Sequence, residues 1–297
     1  CIIKKKAEEL TMACTEKEKW RQRFLKVLAG FCLLDDDFMT VVFQDSFECV
    51  NLILQIILGK PRIRVTRVIT QDTLKNLQGR SVRLDIHAFA EEQEFNIEIQ
   101  RLGKGAAARR ARYNSSLMDA NTLLAGEDYD KLPESYVIFI TEFDVLGEGQ
   151  PIYIIRRTIE GSGKIFEDGS HILYVNSSMI DEDTPLGKLM HDFRCTRAED
   201  MYYDVLAERV KYFKETKEGA SVMSKAMEEL MEEFTHEAEI RGMERGMERG
   251  MERGMERGKT SVILGMLKEK LPLEMIARVS DISMDKVREI GRMHSLL

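Results

Sequence analysis

Two short arms of the sequence carry acids at a spacing that suits phosphate chemistry. In Val82-Arg83-Leu84-Asp85-Ile86-His87, apolar and polar residues alternate. After Glu91-Glu92-Gln93-Glu94 the alternation resumes in Phe95-Asn96-Ile97-Glu98-Ile99-Gln100. Period two is the mark of a β-strand, and the acidic segment between the arms reads as a hairpin turn. Leu84, Ile86 and Ala88 then share one face, opposite Arg83, Asp85 and His87. Phe95, Ile97 and Ile99 likewise oppose Asn96, Glu98 and Gln100. A loop centred on Glu92 and Gln93 sets Asp85 opposite Gln100 and His87 opposite Glu98, so Asp85, Glu98 and Gln100 converge on one patch.

Carboxylates on neighbouring strands lie roughly 4.5–8 Å apart and repel unless something neutralises them. A hard divalent cation does so through oxygen ligands and keeps waters, one of which can attack a phosphate in line. The alternative is that these polar residues line the wet face of an antiparallel sheet, and spacing alone leaves both readings open. The next segment favours the chemical one: residues 101–120 hold Arg101, Lys104, Arg109, Arg110 and Arg112 against only Asp119. Such a basic stretch suits phosphates.

The elements that must position these residues follow from periodicity. Trp20 to Phe31 reads as a helix, Asp35-Asp36-Asp37 breaks the pattern, and Phe38 to Leu58 reads as one or two helices stopped by Gly59-Lys60-Pro61. Strands are expected at Ile63–Val68, Val82–Ala90, Phe95–Arg101, Tyr136–Thr141, Ile152–Thr158 and His171–Asn176, with a helix over Gly105–Ala125 capped by Gly126. From Thr184 onward the pattern is helical. Leu186, Leu189, Met190 and Phe193 form one amphipathic face, and Met201–Phe213 another. Gly-Met-Glu-Arg occurs four times over residues 242–257. This repeat reads as a helical spacer with four glycines that each cost about 1 kcal/mol relative to Ala. Ile263–Leu271, Pro272–Val279 and Ser283–Met293 form a last helical unit, with Ser283 as an N-cap, similar to a helix-turn-helix or a small oligomerisation piece.

The chain has 297 residues, 43% of them hydrophobic, which excludes wholesale disorder. The longest apolar run, Val50–Leu58, is broken by Asn51 and Gln55, and a membrane span needs about 20 residues, so no membrane partner is expected. The net charge is −7, and residues 199–240 alone, with twelve acids and five bases, account for it. The rest is balanced, so global acidity does not exclude a nucleic-acid partner. Five scattered cysteines without a CxxC pair read as reduced thiols, and with no signal-type apolar stretch a cytoplasmic location is expected. His191 and Cys195 share a helical spacing, but the sequence offers no second ligand pair for zinc.

Arg-Leu-Asp85, a short turn, Asn-Ile-Glu98-Ile-Gln100 and then Arg109 to Tyr113 in the next helix resemble the PD-(D/E)XK nuclease-type transposases, a group that includes bacterial recombination-promoting nucleases. The likeness runs from about Asp35 to Phe213. It implies an α/β fold with a restriction-endonuclease-like mixed sheet core flanked by helices, followed by an all-helical C-terminal arm. It also implies Mg²⁺ or Mn²⁺ at Asp85 and Glu98, aided by the Ile99 carbonyl, and hydrolysis of phosphodiester bonds in double-stranded DNA. Gln100 stands where the motif has Lys, and Leu84 where it has Pro. An amide can orient a water but cannot supply charge to the transition state. The family's further acid comes from the first core helix, for which Glu48 is the candidate and Asp45 the rival. Arg109 and Arg112, three apart on their helix with Tyr113 beside them, are expected to face DNA phosphates.

The expected organisation is an N-terminal extension over 1–19, a nuclease-like core over 20–198, an acidic helical arm with the repeats over 199–258, and a small helical tail over 259–297 through which copies could assemble. The rival reading keeps the same fold as a catalytically inactive scaffold that binds DNA or protein.

Overall fold

The computed structural model describes residues 24–297. The expected extension and the start of the Trp20–Phe31 helix lie outside the described residues, while residues 24–29 are helical. The chain divides into two compact units between Glu228 and Glu229.

The first unit is built on a six-stranded mixed sheet in the order β1-β2-β3-β4-β6-β5. Its strands are β1 (Arg67–Leu74), β2 (Val82–Ala90), β3 (Gln93–Gln100), β4 (Glu134–Thr141), β5 (Ile152–Ile155) and β6 (Ser170–Asn176). β1, β2 and β3 form an antiparallel meander, β4 joins β3 in parallel, β6 joins β4 in parallel, and β5 closes the edge against β6. Helices α1 (Asp36–Phe43) and α2 (Phe47–Leu58) precede the sheet, α3 (Ala108–Thr122) links β3 to β4, and α4 (Pro185–Arg194) and α5 (Asp204–Glu215) follow it. A parallel neighbour needs a long crossover, supplied by α3 between β3 and β4 and by the excursion through β5 between β4 and β6.

Alternation decides which side each residue serves. Phe95, Ile97, Ile99, Ile138, Ile140 and Val175 face a large core shared with α1, α2, α4 and α5. Val137, Phe139 and Tyr174 face a smaller core under Ala111, Leu117 and Met118 of α3. Each large side chain enclosed this way contributes about 1.5–3 kcal/mol. The first core does not end at residue 198, as expected, but takes in Leu206, Val210, Phe213 and Met223. The acidic stretch thus begins as part of the first unit, because its apolar face is buried while its acids stay outside.

Several expected boundaries move, for local reasons. The segment from Ile63 to Val65 is not a strand: Gln55 Nε2 donates to the Ile63 carbonyl and the Val65 N–H donates to Asn51 Oδ1, tying it to α2, and β1 starts only at Arg67. The Asp35–Asp37 run starts α1 rather than interrupting a helix, since acids favour a helix N-terminus. A 3-10 turn over Gly103–Ala106 precedes α3, which ends at Thr122, before Gly126. Only Ile152–Ile155 of the expected fifth strand pairs as β5.

In the second unit, α6 (Lys217–Lys268), whose earlier part belongs to the first unit, carries the repeats within one helix, with Met243, Met247, Met251 and Met255 exposed. α7 (Leu273–Ser280) and α8 (Met284–Met293) pack on its end through Ile263, Leu267, Ile276 and Val287. Ser283 caps α8, its Oγ accepting the Lys286 N–H. No single helix among the described residues is long and apolar enough to cross a membrane.

Candidate active site

The hairpin between β2 and β3 is tighter than its acid-rich sequence suggests. Its turn is Glu91-Glu92, with Glu91 in the left-handed region at φ +47°, and the strands pair His87 with Asn96 and Ile86 with Ile97. The register is two residues from the expected one. A shift of two preserves sidedness, so His87, Asn96 and Glu98 still share a face. That face is not wet: α3 covers it, and Glu94, Asn96 and Glu98 are all buried. The open-face alternative falls, because polar residues in this row need partners from α3 or cost stability.

Regular pairing fails at Asp85. On one side the β1 ladder passes from Thr70–Ile86 to Asp72–Leu84, skipping Gln71, whose φ is +54°. On the other side the β2–β3 ladder stops at Ile86–Ile97. Alternation slips at the same point, and Leu84 joins the α3-side core while Ile86 and Ala88 stay in the other. Asp85 Oδ2 accepts the Ile99 N–H at 2.9 Å, so the carboxylate stands where a ladder bond would be. The irregularity aims an acid into the sheet.

Glu98, fully buried, is held by α3. Asn114 Nδ2 donates to its Oε1 at 3.3 Å, and Arg110 forms an ion pair with its Oε2. Arg110 and Asn114 are one helical turn apart and therefore reach the same carboxylate. Arg110 also donates to the Gly105 carbonyl at 3.0 Å. Gln100 Nε2 approaches Glu98 Oε2 at 3.5 Å. A Cβ on Gly105 would lie 1.8 Å from Gln100 Oε1, so a side chain there would push the Gln100 amide aside. Burial pushes the Asp85 carboxyl well above the ordinary range, and Glu98 and Asp36 push it further, against the Ile99 N–H and Arg110. Burial also raises Glu98, with Arg110 the main opposing influence.

The helical acid near the pair is Asp36, not Glu48. Asp36 sits in the first turn of α1, accepts from Gln71 Nε2 at 3.4 Å, and acts on both Asp85 and Glu98. Glu48 and Asp45 instead line a groove with Glu208, Arg209 and Tyr212. A bend of 110° between α1 and α2 turns that stretch away from its predecessor, which helical spacing cannot foresee. Arg109 and Arg112 are exposed on α3 as expected. Tyr113 is occupied elsewhere: its hydroxyl donates to the Arg80 carbonyl at 2.6 Å and accepts from Asn76 Nδ2 at 3.0 Å, pinning the β1–β2 loop. His87 is buried between Asp72 and Glu94 rather than near the pair's open side.

Asp36, Asn114 and Gly105 escaped the sequence reading as members of the site, and Arg110 was named only as one of a basic stretch suited to phosphates. The Asp35–Asp37 run was a visible signal for the first. Which arginine of the basic stretch turns inward depends on the rotation of α3. The donor set fits a hard divalent cation. Two buried carboxylates lack full compensation, a third acid faces them, and Asn114 Oδ1, on the amide that binds Glu98, has no partner.

Comparison with curated proteins and with solved structures gives no match. The model of the PD-(D/E)XK nuclease family transposases matches residues 49–253, about two thirds of the chain. That span takes in the hairpin with Asp85 and Glu98, the whole six-stranded restriction-endonuclease-like sheet and most of the helical C-terminal region. The chain belongs to the PD-(D/E)XK nuclease family of transposases.

Proposed function

We propose that the protein is a divalent-cation-dependent endonuclease of double-stranded DNA acting in transposition or recombination. The observation carrying this reading is the buried, under-compensated pair Asp85 and Glu98, set beside an arginine that a phosphate could share. Mg²⁺ or Mn²⁺ held by Asp85 and Glu98, with Asp36 facing them, would supply Lewis-acid polarisation of the phosphodiester and activation of the attacking water. Asp85 is kept in place by the Ile99 N–H, so its free oxygen points without a rotamer search. Gln100, pressed by Gly105, orients the water through its amide. Arg110 supplies the positive charge that Gln100 lacks: one end of its guanidinium pairs with Glu98 Oε2, the other donates to the Gly105 carbonyl, and its remaining N–H groups are free to contact a phosphate. Arg109 and Arg112, on the same helix, contact flanking phosphates. Assembly between copies is assigned to the C-terminal helices, which hold a core of their own.

The test is plasmid nicking with Mg²⁺ or Mn²⁺. Asp85→Asn and Asp85→Ala should abolish it, a loss on the order of a thousandfold or more, equivalent to about 4 kcal/mol. Nicking that persists in Asp85→Asn defeats the assignment. DNA binding without cation uptake or cleavage by the parent protein would favour the scaffold reading.

A further inference from the structure

The C-terminal turn of α4 brings together three ligand-bearing side chains outside the nuclease site. His191, Asp192 and Cys195 offer one atom each, and these lie within 4.8 Å of one another. His191 Nδ1 is 3.4 Å from Cys195 Sγ and 3.4 Å from Asp192 Oδ1. One nitrogen thus faces a thiol and a carboxylate at equal range. It can accept from the first or donate to the second, but not both.

A metal would satisfy all three. With bonds of about 2.3 Å to sulfur and about 2.0–2.1 Å to nitrogen and oxygen, a tetrahedral centre sets N···S edges near 3.5 Å and N···O edges near 3.3 Å. The two observed separations of 3.4 Å come near these edges, while the set as a whole spans up to 4.8 Å and Cys195 Sγ lies 3.9 Å from Nε2, so the imidazole must turn to aim Nδ1 at an ion shared with the sulfur. Each ligand is also held from behind. Asp192 is fully buried, and its Oδ1 and Oδ2 accept the Tyr202 N–H at 2.7 Å and the Tyr203 N–H at 2.9 Å, leaving further lone pairs on each oxygen. The His191 ring packs against Tyr202 at 4.8 Å between centroids. Cys195 is the residue that ends α4, and its sulfur lies 3.6 Å from the Asp200 carbonyl. The His191 side chain is 26% exposed, which gives an ion a way in.

We propose that His191, Asp192 and Cys195 form a second metal site, for a thiolate-binding tetrahedral ion of the Zn²⁺ class. Its fourth position is left to water or an added ligand. Binding displaces the Cys195 thiol proton to solvent and clamps the end of α4 to the turn that carries Tyr202 and Tyr203. Sulfur and imidazole ligands distinguish this site from the all-oxygen pair at Asp85 and Glu98, which suits Mg²⁺.

The probe is Co²⁺ added to metal-free, full-length protein carrying Asp85→Asn, which disables the carboxylate pair. The expected result is one Co²⁺ per chain with a thiolate-to-cobalt charge-transfer band and tetrahedral visible bands. Zn²⁺ should displace it, and excess Mg²⁺ should not. Cys195→Ser should remove the charge-transfer band, Cys32→Ser should keep it, and His191→Gln should weaken Co²⁺ binding at least tenfold. His191 is partly exposed, so its variant decides the matter if Cys195→Ser fails to fold. In the parent, Zn²⁺ should also raise Tm by a few degrees, an effect absent in His191→Gln. A parent without the band, or a band that survives undiminished in Cys195→Ser or His191→Gln, overturns the proposal.

Discussion

The same pair of strands carries two acidic clusters under α3, and they are built on opposite principles. Toward the hairpin turn, His87 Nδ1 meets Asp72 at 2.6 Å, its Nε2 meets Glu94 at 2.7 Å, and Thr122 of α3 donates to the other Glu94 oxygen at 2.7 Å. Both ring nitrogens thus face carboxylates. A few residues along, Asp85 and Glu98 share one arginine and a broken ladder, and both carboxyls sit above their ordinary range. The first cluster is closed: every acid has a partner, and nothing further is needed. The second is short of positive charge, a deficit that a divalent cation would make good. Buried polar groups that are fully paired hold a fold together, while those left short mark a site where a ligand completes the set.

Substitutions that remove one member of each cluster should therefore differ in sign. His87→Ala leaves Asp72 and Glu94 facing each other, and should cost about 3–5 kcal/mol in chemical denaturation. Asp85→Asn removes repulsion while its amide oxygen can still accept the Ile99 N–H, and should leave the metal-free melting temperature equal or higher. A large fall in Asp85→Asn would mean that both clusters are structural.

Arg110 sharpens the comparison from the cationic side. Arg110→Ala should lower cleavage on the order of a hundredfold. Arg110→Lys should recover only part, since it keeps the charge but loses the planar fork. Kinetics of nicking at saturating Mg²⁺ separate this from simple loss of metal.

The pH dependence tests the electrostatic claim directly. A carboxyl whose folded value is raised binds its proton more tightly in the native chain. Its stabilising contribution is therefore greatest in acid and is lost as pH rises from the ordinary carboxylate range, about 4, through the raised values. The metal-free parent should lose more stability over that interval than Asp85→Asn does. Parallel curves for the two proteins would show that Asp85 is not strained in the folded state.

The smallest effect is expected at the exposed arginines. Arg109→Ala with Arg112→Ala should leave folding untouched and reduce the log–log salt slope of DNA binding by about two units, at roughly 0.9 per phosphate contact. An unchanged slope would move the DNA surface off α3.

Much of this was legible in the sequence. Period-two alternation located β2, β3 and β4, and Glu98 and Gln100 could be placed on one side because parity survives a register error of two, whereas Asp85 comes to Glu98 through a break in the ladder that the pattern does not show. Ser283 as a cap and Gly59, at φ +61°, as a helix stop follow from local stereochemistry. Local rules failed where long-range partners intervened. Asn51 and Gln55 took up backbone groups of the segment before β1, and the corner at Asp45 carried Glu48 away from the acids it was expected to join.

The sequence by itself determined the alternation, the acids on that hairpin and a basic helix to follow, because strand and helix periods are properties of neighbouring residues. Only the tertiary structure decided that α3 buries the polar row, that Arg110 rather than Arg109 or Arg112 turns inward, that Asp36 is the third acid, and that Asp192 joins His191 and Cys195. Each of these depends on the rotation of a helix or the path of a turn. Those are set by packing across the whole core, where burying a few large side chains outweighs any local preference.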